Sequence, residues 1–409
     1  MEKRDSEQGS RLSRRRFMVA TAATAVAGLP AFLRAQPAPV KVGIMHPITG
    51  FLSYSGNQCR AGALMAVEEI NASGGIKALG GAKIEPLLAD SQSKVDVGAS
   101  EFERLNEAGI SAFVGPYASA IGIATSQAAT RYGLPHICDV TVSDRVVGKD
   151  KPTTFRFSPG YSAIAETAIS RLDEINKSAG SIAKKVMMVH EESESGAGTQ
   201  KMLAKELPKH GFEIVETVLH PNPTRDFSNI VLRIRARNAD ILIIGNYYDE
   251  YVLLVRTLRQ QRVRLKGIYS VLGGGASSFR FLRESPEAAQ HIMDTNHWYN
   301  PLNPKALDLR KRVEAKGLDF SYEVFLNYNA VMWLADSIER ARSVKREAIV
   351  EALATSTWSG HILPYGPTKI ADGQNTGALA STLQVQGNDI QVILPKQFAS
   401  AKIIFPTPA

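Results

Sequence analysis

Apolar and polar positions along the chain follow two alternating rhythms. Val40-Lys41-Val42-Gly43-Ile44-Met45 is a strand-like apolar run. Residues 58–70 then place Ala61, Leu64, Met65, Val67 and Ile70 at helical spacing. That helix is expected to stop at Asn71-Ala72-Ser73-Gly74-Gly75, where glycine can adopt the left-handed cap conformation. Ile84 to Asp90 is the next predicted strand, with Pro86 indicating a sheet edge. A helix over about 94–108, a strand at 110–115, another helix and a strand at 135–138 complete the first series. The pattern then restarts, with strands at 185–190, 213–218 and 240–245 and helices at 197–209 and near 227–237. Apolar strands alternating with helices predict an α/β fold, its parallel sheets covered on both faces. Two such series predict two doubly wound lobes with a cleft between them. Ligands of open α/β sheets sit beyond the carboxyl ends of the strands. The loops after Met45, Gly115, Ile137, His190 and Gly245 are therefore where chemistry is expected.

A length of 409 residues suits two cores better than one. The formal charge of +8 suggests a polyanion partner until its distribution is considered. Residues 1–35 hold seven basic residues against three acidic ones, so half of the excess lies there. The remainder, spread over a large surface, calls for no nucleic acid. The first residues read as an export signal over 1–36. Ser13-Arg14-Arg15-Arg16-Phe17-Met18 is followed by an apolar run from Val19 to Leu29, and then by Pro30 and Ala35. Basic, apolar and small regions in that order mark a secretory signal. The paired arginines with Phe17 resemble a twin-arginine signal. The apolar run is shorter than the roughly 20 residues of a membrane span. A periplasmic mature chain, cut near Ala35–Gln36, is expected. An oxidising compartment permits a Cys59–Cys138 disulfide, but a chain of this size does not require one, and two unpaired, partly buried thiols are expected instead.

Several segments, in order, resemble the leucine/isoleucine/valine-type periplasmic binding proteins of ABC importers, from Val40 to about Ile370. They are Gly43-Ile44-Met45-His46-Pro47-Ile48-Thr49-Gly50 with Tyr54 and Gly62-Ala63, and Glu69-Ile70-Asn71-Ala72-Ser73-Gly74-Gly75-Ile76. Val114-Gly115-Pro116-Tyr117-Ala118-Ser119, Asp226-Phe227-Ser228 and Tyr328-Asn329-Ala330 follow. The resemblance implies a type I periplasmic binding fold, two parallel-sheet lobes joined by a three-crossover hinge that closes on its ligand. It places lobe 1 at about 37–157 and 298–366, and lobe 2 at 158–297 and 367–409. The crossovers would lie at Phe155-Arg156-Phe157-Ser158, Asn296-His297-Trp298 and Leu363-Pro364-Tyr365-Gly366.

In the amino-acid binders of that family, a serine and a threonine of lobe 1 hold the carboxylate, and an acidic residue of lobe 2 pairs with the ammonium. Ser119 falls on the serine position, with Ala118 and Ala120 offering backbone groups. The threonine position falls on Val142, flanked by Thr141 and Ser143. The acidic position falls on Val271 or Leu272, and Ser195 stands where a tyrosine is usual. An ammonium there would be buried without its partner, at a prohibitive cost. The expected ligand is therefore a carboxylic acid or amide without an α-amino group, stacked or hydrogen-bonded by Tyr54, Tyr117, Tyr247 or Tyr248. A branched-chain amino acid remains the alternative if Asp249, Glu250, Asp139 or Asp144 supplies a relocated anion.

No phosphate-binding or serine-hydrolase motif surrounds Gly273-Gly274-Gly275 or Ser193, so no cofactor and no catalytic residue are expected. His291 and His297 lack companions for a metal set and are expected at solvent or hinge positions. Arg256, Arg259, Arg262 and Arg264 are expected to form a solvated basic face. The sequence thus implies a monomeric transport receptor that docks on a membrane ABC permease. A periplasmic ligand sensor or amide-responsive regulator is the rival on the same fold.

Overall fold

A computed structural model describes residues 37–408 of the protein. The expected export signal lies outside the described residues. The first series of elements runs β1 (Val40–His46), α1 (Ser53–Ala72), β2 (Ile84–Asp90), α2 (Val95–Glu107), β3 (Ala112–Val114) and α3 (Ser119–Tyr132). It ends with β4 (His136–Cys138) and β5 (Thr154–Arg156). The second comprises α4 (Tyr161–Ser178), β6 (Lys185–Glu191), α5 (Glu194–Glu206), β7 (Glu213–His220), α6 (Ser228–Arg237) and β8 (Ile241–Gly245). It continues through α7 (Tyr248–Gln260), β9 (Gly267–Val271), α8 (Phe279–Glu284), α9 (Pro286–Ala289) and β10 (Met293–Asn296). The chain closes with α10 (Pro304–Ala315), α11 (Tyr322–Ala341), α12 (Arg346–Ala354), β11 (Ile370–Ala371), β12 (Gln374–Asn375), β13 (Ser381–Gln386) and β14 (Asp389–Leu394).

Two seven-stranded sheets result, ordered β11-β12-β5-β4-β3-β1-β2 and β14-β13-β10-β9-β8-β6-β7. Pairing is parallel from β5 to β2 and from β10 to β7. Antiparallel strands finish each sheet on the other side. Burial follows position: Val42, Ile44 and Met45 of internal β1 are fully buried, whereas Pro86, which lacks an N–H, sits in edge strand β2. The first sheet's layer is closed by α1 against α11. Gly62 lets them approach so closely that a Cβ there would lie 2.1 Å from the Val324 carbonyl oxygen.

Three expectations need correction. The third crossing does not occur at 363–366, because β12 pairs with β5 in the first sheet and β13 with β10 in the second. The chain therefore changes sheets between Asn375 and Ser381. Helix α5 begins at Glu194 rather than 197, because the Ser193 side chain accepts from the N–H groups of Ser195 and Gly196 and caps it. Arg256 and Arg259 are not simply solvated: Arg256 donates to Ser285 Oγ (2.8 Å) and Arg259 to the Gln290 carbonyl (3.0 Å). Cys59 and Cys138 are both buried, unpaired thiols. No helix among the described residues is long and apolar enough to cross a membrane.

Arg156, at the end of β5, organises the hinge. Its buried guanidinium donates to the carbonyls of Val142 (2.8 Å) and Ser143 (2.6 Å), to Asp144 (2.9 Å) and, through Nε, to Gln374 Oε1 (2.7 Å). Gln374 and Asn375 in turn donate to the Ser158 and Phe157 carbonyls, both at 3.0 Å. One cation thus ties the 142–144 loop to two of the segments that pass between sheets.

Candidate functional site

A cavity opens where the carboxyl ends of both sheets meet, the place where open α/β sheets hold their ligands. Tyr117, Ser119, Val140 and Val142 form one wall, with Tyr322 from the start of α11. The opposite wall comes from the end of β6 and α5 (Glu191, Ser195, Gly196, Thr199) and the end of β8 (Gly245, Asn246, Tyr247). Val271, Leu272 and Gly274 follow β9, and Asn296 and His297 follow β10.

Ser119 opens α3 after Ala118, which has extended geometry and contributes no side-chain cap. The first N–H groups of this helix are thus uncapped by side chains where it meets the cavity, a disposition suited to an anion. Ser119 Oγ also accepts from the Ser143 N–H (3.3 Å). Aromatic rings from both walls meet across the space. Tyr117 and Tyr247 lie 5.9 Å apart between centroids, and the Tyr117 and Tyr322 hydroxyls are 3.2 Å apart. The Tyr247 hydroxyl lies 3.3 Å from Ser193 Oγ and 3.1 Å from Ser195 Oγ. Leu272 holds a left-handed backbone (φ 57°), a conformation unusual for a side chain of its kind.

Of the residues expected at the site, the structure brings Tyr117, Ser119, Val142, Ser195, Tyr247 and Leu272 to the cavity. The others have different work. Ala118 precedes the helix, and Ala120 is exposed on it. Thr141 donates to the Pro116 carbonyl. Ser143 reaches across to Glu194 Oε1 (2.8 Å), beside an Arg145–Glu194 ion pair at 3.1 Å. Tyr54 and Tyr248 stack on each other at 4.3 Å, with Arg280 over both rings. Tyr54 donates to Asp319 (3.0 Å), which also pairs with Arg283. These contacts join first-sheet and second-sheet elements beside the cavity, so the lobes are closed upon each other.

None of the four relocated anions considered from sequence lines the cavity. Asp139 is bound to His46 (2.6 Å) and Asp144 to Arg156 (2.9 Å), while Asp249 is exposed. Glu250 accepts from the Thr224 N–H (2.6 Å), with burial pushing its pKa up to about 7. The carboxyl that does line the cavity, Glu191, is the missed one. It accepts from the Ser193 N–H (2.6 Å), Ser193 Oγ (2.9 Å) and Ser195 Oγ (3.4 Å), at the N-terminus of α5. Burial raises its pKa against these bonds. Glu191 and Asn246 directly follow His190 and Gly245, the strand ends after which chemistry is expected, although neither residue is singled out by the sequence. His297, expected at a solvent or hinge position, follows β10 on the segment that leaves the second sheet, where it is buried and lines the cavity. Nothing in the local pattern singled out Tyr322. Among the described residues no cluster of side chains suits a metal ion.

Behind Asn296 lies Asp294, whose Oδ2 accepts from Asn296 Nδ2 (3.1 Å). Burial pushes its carboxyl from 3.8 up to about 7. The folded state therefore holds a proton that the unfolded chain releases, and this contribution is full below about 3.8 and lost as pH rises through 7. Asp294→Asn should accordingly lessen the fall in stability between pH 5 and 8, measured by urea unfolding at each pH. An unchanged pH profile would show that Asp294 titrates normally.

The sequence pattern of a family described as periplasmic binding protein matches residues 39–388. A Leu/Ile/Val-binding protein homolog of Brucella abortus is 26% identical over 391 residues, covering 90% of this chain and 93% of its own. A Leu/Ile/Val-binding protein of Rhizobium johnstonii is 28% identical over 361 residues, covering 88% and 94%. Among solved structures, the branched-chain amino acid transporter substrate-binding protein of Streptococcus pneumoniae in complex with isoleucine superposes with a TM-score of 0.76. It is 23% identical and covers 90% of this chain and 100% of its own. A solute-binding protein of an ABC transporter from R. palustris in complex with benzoate gives the same TM-score at 17% identity, with the same coverage.

Proposed function

The chain belongs to the periplasmic binding protein family, and on that premise we propose that it captures a small carboxylic acid lacking an α-amino group. The observation that carries this reading is the distribution of charge in the cavity. One end offers Ser119 and the uncapped start of α3 to a carboxylate. The position that would meet an ammonium is apolar, at Val271 and Leu272. Glu191, the cavity's one carboxyl, already accepts from Ser193 and Ser195 and faces the positive end of α5. Valines 140, 142 and 271, with Tyr117, Tyr247 and Tyr322, make the body of the cavity apolar and aromatic. Fold neighbours hold isoleucine in one case and benzoate in another, so the cavity lining, rather than the fold, must choose.

In this reading the protein is a monomeric periplasmic receptor, exported by a twin-arginine-type signal, that delivers its acid to an ABC permease without turnover. Amides that present the same acceptor oxygen are weaker candidates. A thermal-shift screen of the mature chain, unfolded and refolded to strip bound ligand, tests the proposal. Ligand at 100 times its dissociation constant adds about 2.7 kcal/mol. Aromatic or aliphatic acids should raise the melting temperature. Stabilisation by leucine-like amino acids alone would overturn the assignment.

A further inference from the structure

We infer that His297 selects acids carrying a second, uncharged hydrogen-bonding group, hydroxy acids above all. The inference deepens the acid-binding reading of the cavity and rests on it. His297 follows β10 on the segment that leaves the second sheet, is buried, and lines the cavity. Its backbone N–H donates to Asn296 Oδ1 (2.8 Å), which fixes the segment. Its ring lies 6.2 Å from that of Tyr322. Neither ring nitrogen has a protein partner.

Burial and the positive charge of Arg156 lower its pKa to about 3. The ring is therefore neutral, with one N–H to donate and one lone pair to fill. Leaving such groups unpaired against a hydrocarbon ligand is costly. Several polar groups of the cavity are already engaged. Tyr247 faces Ser193 and Ser195, Glu191 is held by the same serines, and Tyr117 pairs with Tyr322. The two nitrogens of an imidazole point in divergent directions, so a single carboxylate cannot meet both. With the carboxylate assigned to the start of α3, a nitrogen of His297 is left for another group of the ligand. A hydroxyl suits either tautomer, since it both donates and accepts. An ammonium does not, because the Arg156 charge that disfavours imidazolium disfavours a second cation too.

Calorimetric titration of the refolded chain with benzoate, 3-hydroxybenzoate and 4-hydroxybenzoate tests this, in the wild type, His297→Phe and His297→Gln. The wild type should bind at least one hydroxybenzoate about tenfold or more tighter than benzoate. His297→Phe should erase that preference, and His297→Gln, which keeps a donor and an acceptor, should restore part of it. No preference in the wild type, or a preference that survives in His297→Phe, would overturn the inference and leave the acid-binding reading intact. No binding of any of the three, with leucine binding instead, would overturn both. Should His297→Phe not fold, the imidazole 15N shifts of the wild type decide. A change with a hydroxybenzoate but not with benzoate supports the role of His297, and equal changes with both refute it.

Discussion

Arg156→Ala should lower stability by about 1.5–3 kcal/mol, the range for hydrogen bonds to a charged group, and should abolish acid binding. Arg156 is 2% exposed, and its guanidinium fills four positions at once: two carbonyls of the 142–144 loop, Asp144 and Gln374. Without it, the Val142 and Ser143 carbonyls lose their charged donor and keep only the N–H groups of Tyr161 (2.8 Å) and Val146 (3.3 Å). Val142 forms part of the cavity wall and the Ser143 N–H donates to Ser119, so the wall loses its shape with the network. Arg156→Lys should recover little, because a point charge cannot span a fork of four acceptors. Urea unfolding and ligand titration on the same samples check both parts. Intact binding in a folded Arg156→Ala protein would mean that the cavity wall does not depend on this residue.

Ser119→Asp is expected to weaken binding of acids by about 100-fold or more, because two carboxylates would meet where one charge-assisted site now stands. The fold should survive. An acidic residue in the first turn of a helix is favourable by about 0.3–1 kcal/mol, and α3 has none there now. This separation of effects makes the substitution more informative than Ser119→Ala, for which the loss of one neutral hydrogen bond predicts only about a tenfold weakening. Calorimetry gives the affinity and thermal unfolding the stability. Normal acid binding by Ser119→Asp would place the anion end of the ligand elsewhere in the cavity.

The architecture was readable because strand burial and helix periodicity are local properties. Apolar β1 and β8, the helix stop at Gly74-Gly75, and Pro86 in an edge strand each follow from the chemistry of a few residues. The site was readable only as far as strand ends specify it. Tyr247 and Tyr248 show where such reasoning stops. They adjoin at the start of α7, yet one faces the cavity and the other stacks on Tyr54, because Tyr247 is still extended whereas Tyr248 is the first residue of the helix. Glu191 is not legible in the sequence because its partner Ser193 caps a helix that the apolar spacing starts three residues later, with Ser195 inside it. The position of His297 depends on a tertiary arrangement of the crossing segments that no local pattern encodes. The third crossing was missed for a related reason. β11 and β12 are two residues each, too short for an alternation to register, and what keeps them in the first sheet is the Arg156–Gln374 contact between distant parts of the chain.

The account depends most on the claim that the cavity has no place for an α-ammonium. The direct measurement is calorimetric titration of ligand-stripped protein with matched pairs that differ only in that group: 4-methylpentanoate against leucine, and 3-phenylpropanoate against phenylalanine. The account predicts that at least one acid binds, and that it binds more tightly than its amino acid. Binding of leucine or phenylalanine with no binding of the corresponding acid would contradict it, and would make Glu191 the partner of an ammonium.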